Sequence, residues 1–184
     1  CRQLREWHER GLSHWTVAVN LSAVQFEQPD LLEVVIEAIE RHSIPPEMLT
    51  LEVTETVAMR NPETTIETLE KLTAMGVKAS IDDFGTGYSS LSYLKRFPID
   101  ALKIDRSFVD EVTTNPDDAA IATAIVLMGH SLRLRVVGEG VETTDQQTLL
   151  RLLGCDEIQG YLISPPIPAE RFEERFLGRD REVA

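Results

Sequence analysis

Short apolar runs alternate with longer amphipathic stretches along the whole chain. Trp15–Leu21 reads as a strand, and Leu31–Arg41 as a helix with its apolar positions on one face. Pro45 and Pro46 break that helix ahead of a second strand, Leu49–Val53. Asn61-Pro62 opens the next helix, because Asn suits the N-cap and Pro the first turn, where no N–H is needed. It runs to Met75, with Gly76 at the usual stop. A third strand from Val77 ends on two adjacent carboxylates, Asp82 and Asp83, before a loop holding Gly85 and Gly87. A short helix near Ser89–Arg96 then leads to a strand at Ala101–Asp105. Asn115-Pro116 repeats the helix-start signal for a segment carrying Ile121, Ile125, Met128 and Leu132. The pattern closes with a strand at Arg135–Glu139, a helix at Thr144–Leu153 ending on Gly154, a strand at Glu157–Leu162 and a helix at Ala169–Leu177.

Six strands alternating with helices predict a parallel sheet, doubly wound or closed as a barrel. The polar residues help choose: Asn20, Glu52, Asp82 and Asp83, Lys103 and Asp105, Glu139 and Gln159 fall at the downstream ends of successive strands. A doubly wound sheet gathers its ligand groups near one switch point, whereas a (β/α)8 barrel brings every downstream end to one mouth. Polar groups on all six strands favour a TIM-type (β/α)8 barrel with two strands missing. No linker interrupts the pattern, so residues 1–184 read as a single domain.

Composition narrows the function classes. With 42% hydrophobic and 27% charged residues, the chain can bury a real core. Its net charge of −13 argues against a footprint for duplex nucleic acid, though bound metal ions reverse a local field and admit a phosphate ligand. Cys1 and Cys155 form neither a disulfide framework nor a zinc pattern, and no apolar run or signal peptide predicts a membrane span or export, so the expected compartment is the cytoplasm. A first residue other than Met leads to the expectation of a longer protein, which could be membrane-tethered upstream.

Each strand-end residue has a plain structural explanation on its own. Asn20 could hold a turn, Glu52 could face solvent, and Lys103 and Asp105 alternate with Leu102 and Ile104 as an exposed strand face would. Together they fit one chemistry. Hard divalent ions take oxygen ligands, chiefly carboxylates with amide oxygens and water. Asn20, Glu52, Asp82, Asp83 and Glu139 supply such a set, and the neighbouring aspartates can share two ions where the chain leaves its pleat. Two metals clamp the attacking and leaving oxygens of a phosphoryl transfer. Lys103 would stay protonated among so many carboxylates, placed to orient a water or bind phosphate. His8, His14, His42 and His130 lie away from the strand ends and read as surface or packing residues, as do Trp7 and Trp15.

Six segments resemble, in order, the motifs of the EAL domain family: "NLSAVQF" (Asn20–Phe26), "LEVTE" (Leu51–Glu55), "IDDFGTGYSSL" (Ile81–Leu91), "LKIDRSFV" (Leu102–Val109), "GEGVET" (Gly138–Thr143) and "GCDEIQGYLISPP" (Gly154–Pro166). The resemblance implies a (β/α)8 barrel that hydrolyses cyclic di-GMP to linear pGpG with two Mg²⁺ or Mn²⁺ ions. It implies that Asn20, Glu52, Asp82, Asp83 and Glu139 are the metal ligands, that Lys103 positions the water, and that Glu139 can act as base. Glu55 would hold the loop Phe84–Ser90, which looks like the family's mobile segment between metal site and dimer contact. Gln159 would lie near the substrate phosphate. A homodimer is implied, with a sensor or GGDEF domain upstream in the same polypeptide.

The departures are few. The Glu-x-Leu motif and the first two strands are not in the sequence, Gly138 stands where the family usually has Ala, and Arg133 occupies a common Gly position. A cyclic di-GMP receptor without turnover is the competing expectation, and the upstream Glu is the residue that separates the two. An unrelated barrel metalloenzyme would leave the loop after Asp83 unexplained. The chain by itself, lacking that Glu, is expected to be inactive.

Overall fold

The computed structural model describes residues 1–12, 14–87 and 90–177. In chain order the elements are α1 (Arg2–Glu9), β1 (Val17–Leu21), α2 (Ala23–Phe26), α3 (Leu31–His42), a 3₁₀ turn at Pro46–Met48, β2 (Leu49–Thr54), α4 (Glu55–Arg60), α5 (Pro62–Ala74) and β3 (Lys78–Phe84). They continue as α6 (Leu91–Leu94), β4 (Ala101–Ile104), α7 (Arg106–Asp110), α8 (Pro116–Ser131), β5 (Arg135–Gly138), α9 (Thr144–Leu153), β6 (Glu157–Ile158) and α10 (Ala169–Phe172), which runs into a π-helical turn at Glu173–Leu177. Part of the loop and short helix expected around residues 84–96 falls on Tyr88 and Ser89, outside the described residues.

The strands lie in the order β1-β2-β3-β4-β5-β6, and every neighbouring pair is parallel. A doubly wound sheet reverses its strand order at a switch point, and this one never does. The sheet is therefore the curled wall of a (β/α)8 barrel with six of its eight strands, helices outside. Val53, Ile81, Leu102, Ile104 and Val136 are fully buried, as expected of parallel strands covered on both faces.

The helix boundaries follow local chemistry. Asn115 caps α8 by accepting from the Asp117 N–H at 3.0 Å, with Pro116 in the first turn. Asn61 makes no such side-chain bond, so at α5 the start rests on Pro62 alone. Gly76 and Gly154 take the left-handed conformation after α5 and α9. Four short helices, α1, α2, α4 and α7, have too few residues to show the apolar periodicity by which helices are read, and the sequence pattern did not predict them.

One strand is shorter than expected. The pattern extends it to Leu162, but β6 ends at Ile158 and the chain turns. The reason is a backbone crossing: a Cβ on Gly160 would lie 2.2 Å from the Val141 carbonyl oxygen, so the chain lies directly against the loop after β5. Val141 N–H donates to Gln159 O at 3.1 Å and Leu162 N–H to Val141 O at 2.9 Å, replacing ladder bonds.

Candidate functional site

Asn20, Glu52, Asp82 and Lys103 stand on four consecutive strands, and Glu139 follows the fifth. Asn20 and Glu52 are direct partners in the β1–β2 register. In a regular strand Asp82 and Asp83 would point to opposite faces. The β3–β4 pairing instead shifts between Ile81 and Phe84, and Asp83 takes a left-handed φ of 53°. A bulge of this kind re-aims a side chain. One carboxylate oxygen each from Asp82, Asp83 and Glu139 thus falls within 4.8 Å of the others. The aspartates leave the pleat as expected, but inside a strand that continues to Phe84, not at its end.

Lys103 sits at the centre, its side chain 4% exposed. Its Nζ lies 2.6 Å from Glu139 Oε1, 2.7 Å from Glu52 Oε2 and 3.2 Å from Asp82 Oδ1. Burial by itself lowers the Lys103 pKa, but the hydrogen bonds to Glu139 and Glu52 and the charge of Asp82 outweigh it and raise the value. Burial pushes Glu139 up from 4.5 to about 7; the bonded Lys103 opposes this and Asp82 adds to it. Asp83 is raised too, by burial and then by the charges of Asp82 and Asp105.

The Asn20 amide, with its nitrogen turned inward, donates to Asp82 Oδ2 at 3.0 Å and Glu52 Oε2 at 3.2 Å. Turned the other way it would add an amide oxygen to a group of carboxylates, an arrangement that a cation makes favourable. Three carboxylates around one ammonium, with Asp83 close beside them, leave net negative charge in a largely buried site, which calls for further positive charge. The donor set is all oxygen apart from Lys103, and it fits hard divalent ions. Asp82, Asp83 and Glu139 could share an ion, and Asn20 and Glu52 lie beside them through the bonds to Asp82 and Lys103.

Glu55, 1% exposed at the start of α4, lies apart from this cluster. Its Oε2 accepts from the N–H of Gly85 at 2.8 Å and of Gly87 at 3.4 Å. A Cβ on Gly85, whose φ is 102°, would meet Phe108 at 2.8 Å, so only glycine fits beneath the loop. Gln159 follows β6, where its backbone bonds to Gly138 and Val141. It lines a cavity of about 560 Å³ with Tyr161, Ile163 and Pro165. Its side chain is not among those that meet at Lys103.

One residue named at a strand end has a further role, and another escaped the sequence reading. Asp105 caps α7 by accepting from the Ser107 N–H at 2.8 Å, and its charge reaches Asp83. Gln146, 5% exposed, belongs to a capping box with Thr143. The Thr-x-x-Gln spacing at 143–146 is a signal that could have found it.

A family model described as EAL domain matches residues 1–166. Over 171 residues the chain is 54% identical to the bifunctional diguanylate cyclase/cyclic di-GMP phosphodiesterase MucR of Pseudomonas aeruginosa, covering 93% of this chain and 25% of that protein. The chain thus spans about a quarter of that relative's length. The solved PaMucR phosphodiesterase in complex with c-di-GMP superposes with a TM-score of 0.92 at 53% identity, over 94% of this chain and 70% of that one. The manganese/cy-diGMP complex of Klebsiella pneumoniae BlrP1 superposes with a TM-score of 0.78 at 31% identity, over 89% and 42% of the two chains.

Proposed function

Because the chain belongs to the EAL domain family, we propose that it forms the hydrolytic domain of a protein that converts cyclic di-GMP to linear pGpG. The observation that carries this reading is the meeting of Asn20, Glu52, Asp82, Asp83 and Glu139 around Lys103 at one mouth of the barrel wall. Those five residues would hold two Mg²⁺ or Mn²⁺ ions, which would polarise the phosphodiester and acidify the attacking water.

The chain's own groups divide the remaining work. Lys103 keeps its proton and points an N–H at the water or a phosphate oxygen. Glu139, whose carboxylate lies 2.6 Å from Lys103, accepts the proton that the water gives up. The water oxygen joins phosphorus, one ester P–O bond breaks, and the leaving sugar oxygen takes a proton from solvent to depart as a hydroxyl. Glu55 holds the loop after β3 through Gly85 and Gly87. Gln159, at the rim beyond β6, contacts the substrate phosphate. The name of MucR joins a diguanylate cyclase to a phosphodiesterase; by that analogy a GGDEF or sensor domain would precede this one, and the protein would work as a homodimer in the cytoplasm. No helix among the described residues is long and apolar enough to cross a membrane.

Turnover of cyclic di-GMP by the full-length protein with each metal tests the reading. Mg²⁺ or Mn²⁺ should support release of pGpG, while Ca²⁺, with its longer bonds and higher coordination, should bind yet misplace water and phosphate. Asp82→Asn should abolish turnover and leave the protein folded, since the amide keeps the shape and loses the charge. Equal turnover with Ca²⁺ would sink the two-metal reading, and tight binding of cyclic di-GMP without turnover would make the domain a receptor.

A further inference from the structure

Lys103 and Glu139 meet at 2.6 Å from neighbouring strands of only four residues each. Beyond the sheet the two chains diverge, one into α7 and the other into the loop 139–143. The last backbone bond between them runs from Glu139 N–H to Ile104 O at 3.3 Å. Past that point one buried side chain ties the two segments together. Gln146 Oε1 accepts from the N–H of Glu142 at 2.8 Å and of Thr143 at 2.9 Å. Its Nε2 donates to Val109 O at 3.2 Å and Asp110 O at 3.1 Å, at the far end of α7. An amide has four principal hydrogen-bonding positions, and all are filled here.

The first pair of bonds serves the start of α9, but the second leaves that helix and fastens α7. Arg106 adds a weaker outer link. Its stem covers Gly140, where a Cβ would lie 2.4 Å from Arg106 Cγ, and its guanidinium bridges Asp110 and Glu142. We infer that Gln146 is a positioning residue: it ties the segment after Lys103 to the segment after Glu139 and so sets the geometry of that pair. The inference rests on the reading of Lys103 and Glu139 as the groups that act on the attacking water.

The plain alternative is that Gln146 only caps a helix, and two variants of the full-length protein separate the roles. Gln146→Glu keeps both acceptor bonds of the cap but sets a carboxylate against the two α7 carbonyls. Thr143→Ala weakens the cap and leaves the link. Gln146→Glu should lower kcat about tenfold or more, in line with the cost of a small misplacement, with little change in KM. Thr143→Ala should keep kcat within about twofold at a comparable loss of Tm. Gln146→Met, which removes the link without burying a charge, should repeat the kcat loss if the Glu variant fails to fold. A wild-type kcat in a folded Gln146 variant, or kcat losses that merely track Tm across the set, would overturn the inference.

Amide hydrogen exchange in the metal-free protein gives a readout independent of turnover. Either Gln146 variant should speed exchange at Glu139 and leave Arg135, at the other end of β5, unchanged. Unaltered exchange at Glu139 would overturn the link even if the wild type proved inactive. Lack of turnover by the wild type would instead overturn the proposed hydrolysis.

Discussion

Lys103 and Glu139 show how burial and pairing compete within one contact. The ammonium keeps its proton because three carboxylates surround it. Glu139 shares that ammonium with Glu52 and Asp82, so one bond does not cancel its burial, and its pKa rises to about 7. A carboxyl whose folded pKa lies above its unfolded value binds a proton more tightly when folded. Its contribution to stability therefore falls as pH rises from 4.5 to about 7, then levels off. Asp83, also raised, acts in the same direction. Metal-free protein should accordingly melt at a lower temperature at neutral pH than at mildly acidic pH, and Glu139→Gln should flatten the difference. Melting curves across that range check this; an equal slope in wild type and variant would mean that Glu139 does not hold the extra proton.

At the scale of elements, two of the three left-handed residues that are not glycine have different reasons to exist. Asp83, with φ 53°, turns its carboxylate toward Asp82 and Glu139, so the strain serves the site. Arg133, with φ 63°, follows α8 and makes the turn into β5. Its backbone N–H donates to His130 O at 2.9 Å, a bond glycine keeps. Left-handed backbone costs an L-residue roughly 1–2 kcal/mol, and glycine returns part of that as entropy in the unfolded chain. Arg133→Gly should therefore stabilise by about 0.5–1 kcal/mol and raise Tm by a few degrees without altering the site. Thermal denaturation settles it, and a lower Tm would show that the arginine side chain contributes more than its backbone strain. Gly138 is a tighter case, since a Cβ there would lie 2.8 Å from Leu150 Cδ1, so an alanine needs Leu150 to move.

At the scale of the molecule, the barrel wall ends at two edges. Among the described residues β1 pairs only with β2, and β6 only with β5. Beside β1, Val19, Leu21, Leu31 and Val34 line an apolar cavity of about 270 Å³. The chain ends partly bridge the gap: Phe172 of α10 lies 5.5 Å from Trp7 and edge-on to Trp15 at 5.3 Å, and Glu173 accepts from Trp7 Nε1 at 2.8 Å. That contact joins helices and leaves the strand edges unpaired. Exposed edges of a parallel sheet invite foreign pairing. Residues 1–184 expressed alone should associate and show no hydrolysis of cyclic di-GMP, while an added upstream segment supplying two strands and the Glu-x-Leu motif should relieve the association and restore hydrolysis. Light scattering with a turnover assay decides: a monomeric, active chain of these residues would mean that the missing strands are dispensable.

The alternation of strand and helix, the glycine and proline boundaries and the polar strand ends were legible in the sequence because each depends on local chemistry. Strand spacing alone placed Asn20, Glu52, Asp82, Lys103 and Glu139 at one mouth, since parallel strands all deliver their downstream ends to the same side. What the sequence could not decide were contacts that depend on another segment. β6 stops at Ile158 because Gly160 meets the backbone of Val141, and nothing near residue 160 announces that neighbour. The bulge that turns Asp82 and Asp83 to one side belongs to the pairing with β4, not to β3 alone. Gln146 reads as one half of a helix cap until α7 is seen packed against it. Local propensity sets where elements begin and end, whereas long-range packing sets which side chains meet, and the site depends on the second.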